Sequence, residues 1–288
     1  MRDLNYQLKQ LCQRNRDGSF ATRADRERIL SQIATQLVAL GFRHMSVDSL
    51  KPKHVVAAVE RWKADGIAIG TIKNRMTALR WWAEKIGKDN VVARSNAAYG
   101  IGHRTLVTNI SKGQTLNPER LAAVADPFTA VSLRLQAAFG LRREESIKIV
   151  PSWADMGDTL RLKASWTKGG RYREVPITTT EQREALDAAK ALAKNASLIP
   201  KHMSYRDQLN RFKSQCDKAG IHRVHGLRHQ YAQARYEALA GWKCPAAGGP
   251  TSRELTPLQK ARDREVRLAI SEEMGHFREQ ITAVYLGR

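Results

Sequence analysis

The stretch His225-Gly226-Leu227-Arg228-His229, read with Gly275-His276 and with Tyr285 nine residues beyond, sets the architecture of the second half of this 288-residue chain. On a helix His225 and Arg228 stand at i, i+3 and share a face, while Leu227 and Tyr231, four apart, make an apolar face turned to a core. His225 and His229 also stand at i, i+4, the spacing of two zinc ligands, with Cys216 and His222 nearby in sequence. No acid joins the pair as in the usual zinc-binding helix, and the Arg228 charge would oppose a cation, so no metal site is expected. His276 and Tyr285 constrain the backbone instead. On one continuous helix nine residues amount to about 13 Å and half a turn, which would put the two side chains on opposite sides. A helix opening near Thr256-Pro257 is therefore expected to stop around Met274-Gly275, where glycine can cap it, and a turn to bring Tyr285 back.

Two further groups lie upstream. In Gly140-Leu141-Arg142-Arg143-Glu144-Glu145, Glu145 falls three residues after Arg142 and on the same helix face, where it can hold that guanidinium, while Arg143 points about a quarter turn away. Leu160, Leu162, Ala164 and Trp166 alternate with Thr159, Arg161, Lys163 and Ser165, the period-two pattern of a half-buried strand. Gly169-Gly170 supplies a turn, Arg171 to Ile177 returns as a second strand, and Lys168 sits at the tip. Helices are expected from Asn117 through Ile149 and again from Thr180 onward. The fold class is thus mainly α with a small antiparallel β-sheet.

The order Arg142, Lys168, His225-x-x-Arg228, His276, Tyr285 closely resembles the tyrosine recombinases, the family of phage integrases and Xer-type recombinases, over roughly residues 115–288. Residues 70–79, Gly-Thr-Ile-Lys-Asn-Arg-Met-Thr-Ala-Leu, are similar to the last helices of that family's core-binding domain. The resemblance implies a helical core-binding domain followed by a mixed α+β catalytic domain. It also implies a site-specific recombinase or integrase of a mobile genetic element that cleaves and rejoins DNA through a 3′-phosphotyrosyl intermediate, with no metal, ATP or other cofactor. Its implied partners are a double-stranded recombination site, a homo-oligomer, expected as a tetramer on paired sites, and an accessory directionality factor.

The residue types suit that chemistry. Breaking a phosphodiester requires charge on the phosphoryl oxygens to be stabilised, an in-line nucleophile, and a proton for the leaving oxygen. Arg142 and Arg228 can clamp the two non-bridging oxygens, because a guanidinium donates two parallel bonds and stays charged. Lys168 can protonate the leaving 5′ oxygen. In the resemblance His225 bonds the phosphate and accepts the proton of the Tyr285 nucleophile, His276 joins it, His229 reads as a buried supporting residue, and Glu145 supports by holding Arg142. A tyrosine hydroxyl has a reference pKa of about 10, so ionising it at neutral pH requires about 4 kcal/mol of help from neighbouring cations or a base.

The first third reads as helices: Leu4, Leu8 and Leu11 in a short opener; Thr22 and Asp25 as a capping box before Ile29, Ile33 and Leu37; then a helix from Pro52 carrying Val55, Val59 and Trp62 to Gly66. Between Thr71 and Gly87, Ile72, Met76, Leu79, Ala83 and Ile86 recur at helical spacing, with Lys73, Thr77, Arg80 and Glu84 on a polar face. Trp81 falls opposite the apolar stripe, where it either meets nucleic acid or is covered by the other domain. From Lys88 to Gly113 the pattern lapses, which gives the domains as 1–88, helical and DNA-binding; 89–113, a linker or an ordered loop; and 114–288, catalytic.

Lysine and arginine number 49 against 28 acids, a formal charge of +21, which calls for a polyanionic partner. From Lys201 to Arg235 there are eight basic residues and two aspartates. Lys73, Thr77, Arg80, Arg171 and Arg223 are the candidates for DNA contact, giving affinity without sequence information. No apolar run approaches a membrane span, the N-terminus lacks the apolar core of a signal peptide, and three scattered cysteines do not make a disulfide framework, so a cytoplasmic protein without membrane attachment is expected. Two other functions fit parts of the pattern: a type IB topoisomerase that relaxes DNA without strand exchange, and a non-catalytic DNA-binding protein. The Lys168 hairpin and the helical first domain favour recombination. Only three residues follow Tyr285, so a docking tail is not expected, and the Pro/Gly/Ala-rich region within 244–257 reads as an insertion that is either a protomer contact or a surface loop.

Overall fold

The computed structural model describes residues 3–276 and 278–288, with Glu279 described by its backbone alone. The chain divides into two compact units, Met1–Thr105 and Leu106–Arg288.

The first unit is built from α1 (Leu4–Arg14), α2 (Phe20–Ala39), α3 (Pro52–Ala64) and α4 (Ile69–Lys85). Three of them have a visible cause at their start. Asp3 accepts the Tyr6 N–H at the start of α1, and Pro52 opens α3 at a position where its missing N–H removes nothing. Helix α2 begins three residues before the expected capping box. Ser19 caps it by accepting the Thr22 N–H, so the Thr22 backbone is the recipient of a cap and not its source. Leu8, Leu30, Ile33, Leu37, Val55, Val59, Trp62, Met76, Leu79 and Trp82 close a single core.

One expectation for this unit needs correction. Trp81 is not exposed. Its indole donates to Asp17 at 2.8 Å, the Arg26 guanidinium lies 4.2 Å over its ring, and so its own unit covers it. Residues 89–113, read as a linker or an ordered loop, are ordered at their start: 3-10 turns span Asp89–Val91 and Asn96–Tyr99, and Val92 and Ile101 enter the first core. Arg80 holds this segment, with Nε donating to the Ala93 carbonyl at 3.0 Å and Nη2 to Asn96 at 2.7 Å.

The second unit comprises α5 (Pro118–Ala122), α6 (Pro127–Phe139), α7 (Arg143–Lys148), α8 (Pro151–Ala154), β1 (Thr159–Leu162), β2 (Arg173–Pro176), α9 (Thr180–Ala193), α10 (Tyr205–Lys218), α11 (His225–Ala240), α12 (Pro257–Glu273) and α13 (Glu279–Leu286). The two strands pair antiparallel with Thr159 opposite Pro176 and Leu162 opposite Arg173. The first strand ends four residues earlier than its alternation suggests, because Ala164–Trp166 winds into a 3-10 turn. Thr167 closes that turn on both sides, its hydroxyl donating at 3.1 Å to Ala164 and accepting the Arg171 N–H at 2.9 Å. Trp166 packs edge-on against Trp153 with ring centres 5.3 Å apart.

Three apolar clusters set the frame for the site. One joins α6, α9 and the sheet around Leu135, Leu160 and Val175; a second joins α6 and α10 around Leu133 and Phe212; the third joins α11, α12 and α13 around Tyr236, Ile270 and Leu286. Gly140 ends α6 at φ +59°, and a Cβ there would sit 2.4 Å from the Tyr231 ring, so only glycine permits α6 to end against α11. Residues 244–247 belong to the third cluster. Cys244 and Ala246 are buried with Tyr285 and Leu286, so this stretch is a packed support of α13 and not a surface loop.

Candidate active site

Helix α12 stops at Glu273, Gly275 takes φ +67°, and α13 returns, which brings His276 and Tyr285 to one place as their spacing demands. The His276 and Tyr285 rings lie 5.5 Å apart. Tyr285 is buried, and its hydroxyl meets two groups of α11: Arg228 Nε donates to it at 3.4 Å, and His225 Nε2 stands 3.4 Å from it. A guanidinium N–H can only donate, so the tyrosine oxygen accepts from Arg228 and remains free to give its own proton to a neutral His225. Both distances are long for hydrogen bonds, as is common before a substrate closes a site.

Arg228 is almost wholly enclosed. Its Nη1 donates to the Gly140 carbonyl and its Nη2 to the Met274 carbonyl, while Nη2 also lies 3.2 Å from His276 Nε2. His276 Nε2 therefore accepts here. Burial, then the Arg142 charge, lowers the Arg228 pKa to about 10, which still leaves it charged at neutral pH. The same two causes act on the histidines: burial first, then nearby guanidinium charge from Arg228 and Arg142, brings His276 down to about 3. His229 falls to about 4 through burial and then the neighbouring His225, and its ring is tilted against Tyr285 at 4.5 Å. His225 is the most open of the three, and its pKa is also lowered, by the protein wall behind it and by Arg228 and Arg142.

Arg142 is not within a helix. It is the extended residue that caps α7, and Glu145 reaches back to accept both its backbone N–H at 2.7 Å and its guanidinium Nη1 at 2.8 Å. Glu145 is fully buried, which alone would raise its pKa. Hydrogen bonds and charge from Arg173, with Arg142 and Arg228 beyond, overcome that and hold it at about 2.

Arg173 is the residue that the sequence reading missed. It is buried, donates to both Glu145 oxygens at 2.9 and 2.7 Å, and gives Nε to the Glu273 carbonyl at 2.9 Å. A signal existed: Arg173, Val175 and Ile177 alternate on the inward face of the second strand, and an arginine in such a register needs a buried partner. Glu273 is a second carboxylate of this kind, gripped by Arg235 at 2.8 Å and by the Tyr231 hydroxyl at 3.0 Å.

Arg142, Glu145, His225, Arg228, His229, His276 and Tyr285 thus converge. Lys168 stands apart on the exposed turn and takes no hydrogen-bond or ion-pair partner among the described residues. Of the candidates for DNA contact, Lys73 is half-buried and Thr77 exposed on α4, Arg171 lies exposed beside Lys168, and Arg223 lies exposed two residues before His225. Arg80, as described, braces its own unit. Among the described residues no cluster of three or more histidine, cysteine or acidic side chains is placed to hold a metal ion, and none of the helices is long and apolar enough to cross a membrane. Cys216 is buried beside Phe212, and His222 turns to Asp217 at 3.8 Å.

Comparison with known proteins follows the same division. Residues 1–92 match the family model described as phage integrase, N-terminal, and residues 102–234 match the model described as integrase. The second match contains Arg142, Lys168, His225 and Arg228 and ends before His276 and Tyr285. Among curated proteins, none matches by sequence. Solved structures similar to this chain include the Tn1549 transposon integrase in complex with circular intermediate DNA, at TM-score 0.56 and 16% identity over 100% of this chain and 96% of that one. The XerH site-specific recombinase bound to its difH substrate gives TM-score 0.59 and 16% identity over 99% and 81%. A lambda integrase dimer bound to a core site gives 0.62 and 13% over 99% and 95%. At such identities these structures speak for the fold.

Proposed function

Because the chain belongs to the tyrosine recombinases, the phage integrase family, we propose that it is a site-specific DNA recombinase in which Tyr285 attacks a phosphodiester and holds one strand end as a 3′-phosphotyrosyl ester. The observation that carries this reading is the double contact of the Tyr285 hydroxyl, with Arg228 donating to the oxygen and His225 placed to take the proton. As the tyrosine oxygen bonds to phosphorus, the bond to the 5′ oxygen breaks, and Lys168 supplies the proton that oxygen needs. Arg142 and Arg228 hold the non-bridging oxygens as charge gathers on them. His276 lies at hydrogen-bond distance from Arg228 and fixes it beside the phosphate. Glu145 holds Arg142, and His229 backs the tyrosine ring.

Rejoining runs the same steps in reverse, with a 5′ hydroxyl attacking the ester. The ester preserves the energy of the bond it replaced, so neither ATP nor a metal ion enters the balance. Lys73, Thr77, Arg171 and Arg223 contact the DNA backbone. Exchange between two sites calls for four strands to be cut, which a homo-tetramer on paired sites provides, with an accessory protein setting direction on a mobile element in the cytoplasm.

The test is to trap adducts on genomic DNA fragments, resolve them on a denaturing gel and sequence the attached ends. Wild type forms adducts in EDTA, and Tyr285→Phe, which deletes one hydroxyl and no charge, binds DNA and forms none. An adduct that persists in Tyr285→Phe, or a requirement for added divalent metal, would refute the assignment.

A further inference from the structure

Most buried or half-buried cations of the second unit are matched: Arg142 and Arg173 to Glu145, Arg235 to Glu273, and Arg267 to Asp263. Three cations next to the active site are not. Arg143, Lys213 and Arg223 are exposed and have no hydrogen bond or ion pair from their side chains among the described residues. They come from three separate places, the first residue of α7, the middle of α10 and the loop before α11, yet all three line one cavity of about 590 Å³ that His225 also lines. Its floor is apolar, from Leu141, Phe212 and Ile221. Its one acid, Asp217, is turned to His222 at 3.8 Å.

Arg223 carries a second mark. It has φ +54°, a left-handed conformation that is costly for a residue with a Cβ, and the Gly226 N–H fixes it by donating to its carbonyl at 2.7 Å. The loop thus keeps a strained arginine where glycine would be relaxed. That residue also lines a neighbouring cavity of about 420 Å³, with Lys112, His225 and His229. Arg223 and His225 form the wall common to both.

We infer that the larger cavity is a second phosphate site, in which Arg143, Lys213 and Arg223 hold the DNA phosphate next to the one that Tyr285 attacks, with the intervening deoxyribose over the apolar floor. The inference rests on the reading of the chain as a DNA strand-cleaving enzyme, adds Arg143 and Lys213 to it, and gives Arg223 a particular phosphate. A rim of three cations against one carboxylate, that of Asp217, suits an anion, and an apolar floor suits the sugar between two phosphates. Gripping the neighbouring phosphate fixes the direction of the strand across His225 and so aligns the scissile bond for in-line attack.

The test uses the full chain with Tyr285→Phe as background, so that binding is read without cleavage. On a generic duplex, Arg223→Gly and Lys213→Gln should each lower the slope of log affinity against log salt by about one. On a duplex carrying the site recovered from the adduct, a neutral methylphosphonate is placed in turn at each phosphate flanking the cleavage point. One flanking position should weaken binding of the unaltered background and make no further difference in Arg223→Gly. Because glycine relieves the left-handed strain, that variant should melt no lower than its parent, which separates a lost contact from a damaged fold. Unchanged salt slopes in both variants, or a methylphosphonate penalty that persists fully in Arg223→Gly at every flanking position, would overturn the inference. Failure of the underlying reading is a different result, the absence of any adduct from the wild-type chain, and the salt arm still reports on the phosphate contact in that case.

Discussion

Arg142 and Arg143 are adjacent, identical in type and set on different tasks by one dihedral turn. Glu145 takes the first as a cap and a partner, while the second begins α7 with its side chain toward the cavity. Arg142→Ala should therefore abolish adduct formation at any DNA concentration, whereas Arg143→Ala should still form adduct but need more DNA to do so. A dead Arg143 variant beside an active Arg142 variant in a single-turnover titration would reverse the assignment. The histidines give a second residue-scale prediction. With folded pKa values of about 3 for His276 and about 4 for His229, against an unfolded value near 6.5, the unfolded chain binds more protons than the native one below pH 6.5. Stability is then unaffected by these groups above pH 6.5 and falls as pH drops from there toward 4, by up to about 1.4 kcal/mol per pH unit for each histidine. Urea unfolding between pH 7 and 4.5 should show a shallower acid limb, by about one proton, in His276→Gln. An unchanged limb would mean that His276 is already protonated in the native protein. Glu145, held at about 2, adds its own loss only below about pH 4.5.

At the scale of elements, what the sequence made legible was whatever rests on local periodicity or on a backbone constraint. Helices α3 and α4 follow from Pro52 and from the Ile72-Met76-Leu79-Ala83 stripe, and the break between α12 and α13 follows from the geometry of His276 and Tyr285. What it concealed depends on partners distant in sequence. Ala164 and Trp166 keep the alternation of a strand, yet Thr167 and Trp153 draw them into a turn. Arg80 looks like a free basic residue until Ala93 and Asn96 are beside it, and Arg173 like a surface charge until Glu145 is. The segment after Cys244 is the same kind of case: its composition reads as a loose loop, and its packing makes it the bed of α13. A Cβ on Gly249 would lie 1.6 Å from the Lys243 carbonyl oxygen, so Gly249→Ala must push this bed apart. The expected result is a destabilisation of about 2–3 kcal/mol and loss of adduct formation although no active-site residue has changed. Chemical denaturation and the adduct gel check both, and a variant that is fully stable and active would show that Tyr285 does not depend on this support.

For the molecule as a whole, the formal charge of +21 and the division into two compact units predict how it binds. Affinity for duplex DNA should fall steeply with salt, and the separate fragments 1–105 and 106–288 should each bind far more weakly than the intact chain, since linkage turns the second contact into an intramolecular one. Equal affinity of the C-terminal fragment and the whole chain, in titrations at one salt concentration, would show that the first unit adds nothing. The enclosed Arg228 bears on the safety of such an enzyme in a cell full of DNA. Its guanidinium bridges the end of α6 at Gly140, the turn after α12 at Met274 and the Tyr285 hydroxyl on α13. On the proposed mechanism, should any one of these segments peel away, the cation meant for the phosphate loses its aim at the same moment, so a frayed or half-folded copy would be a harmless one and chromosomes would be spared stray nicks.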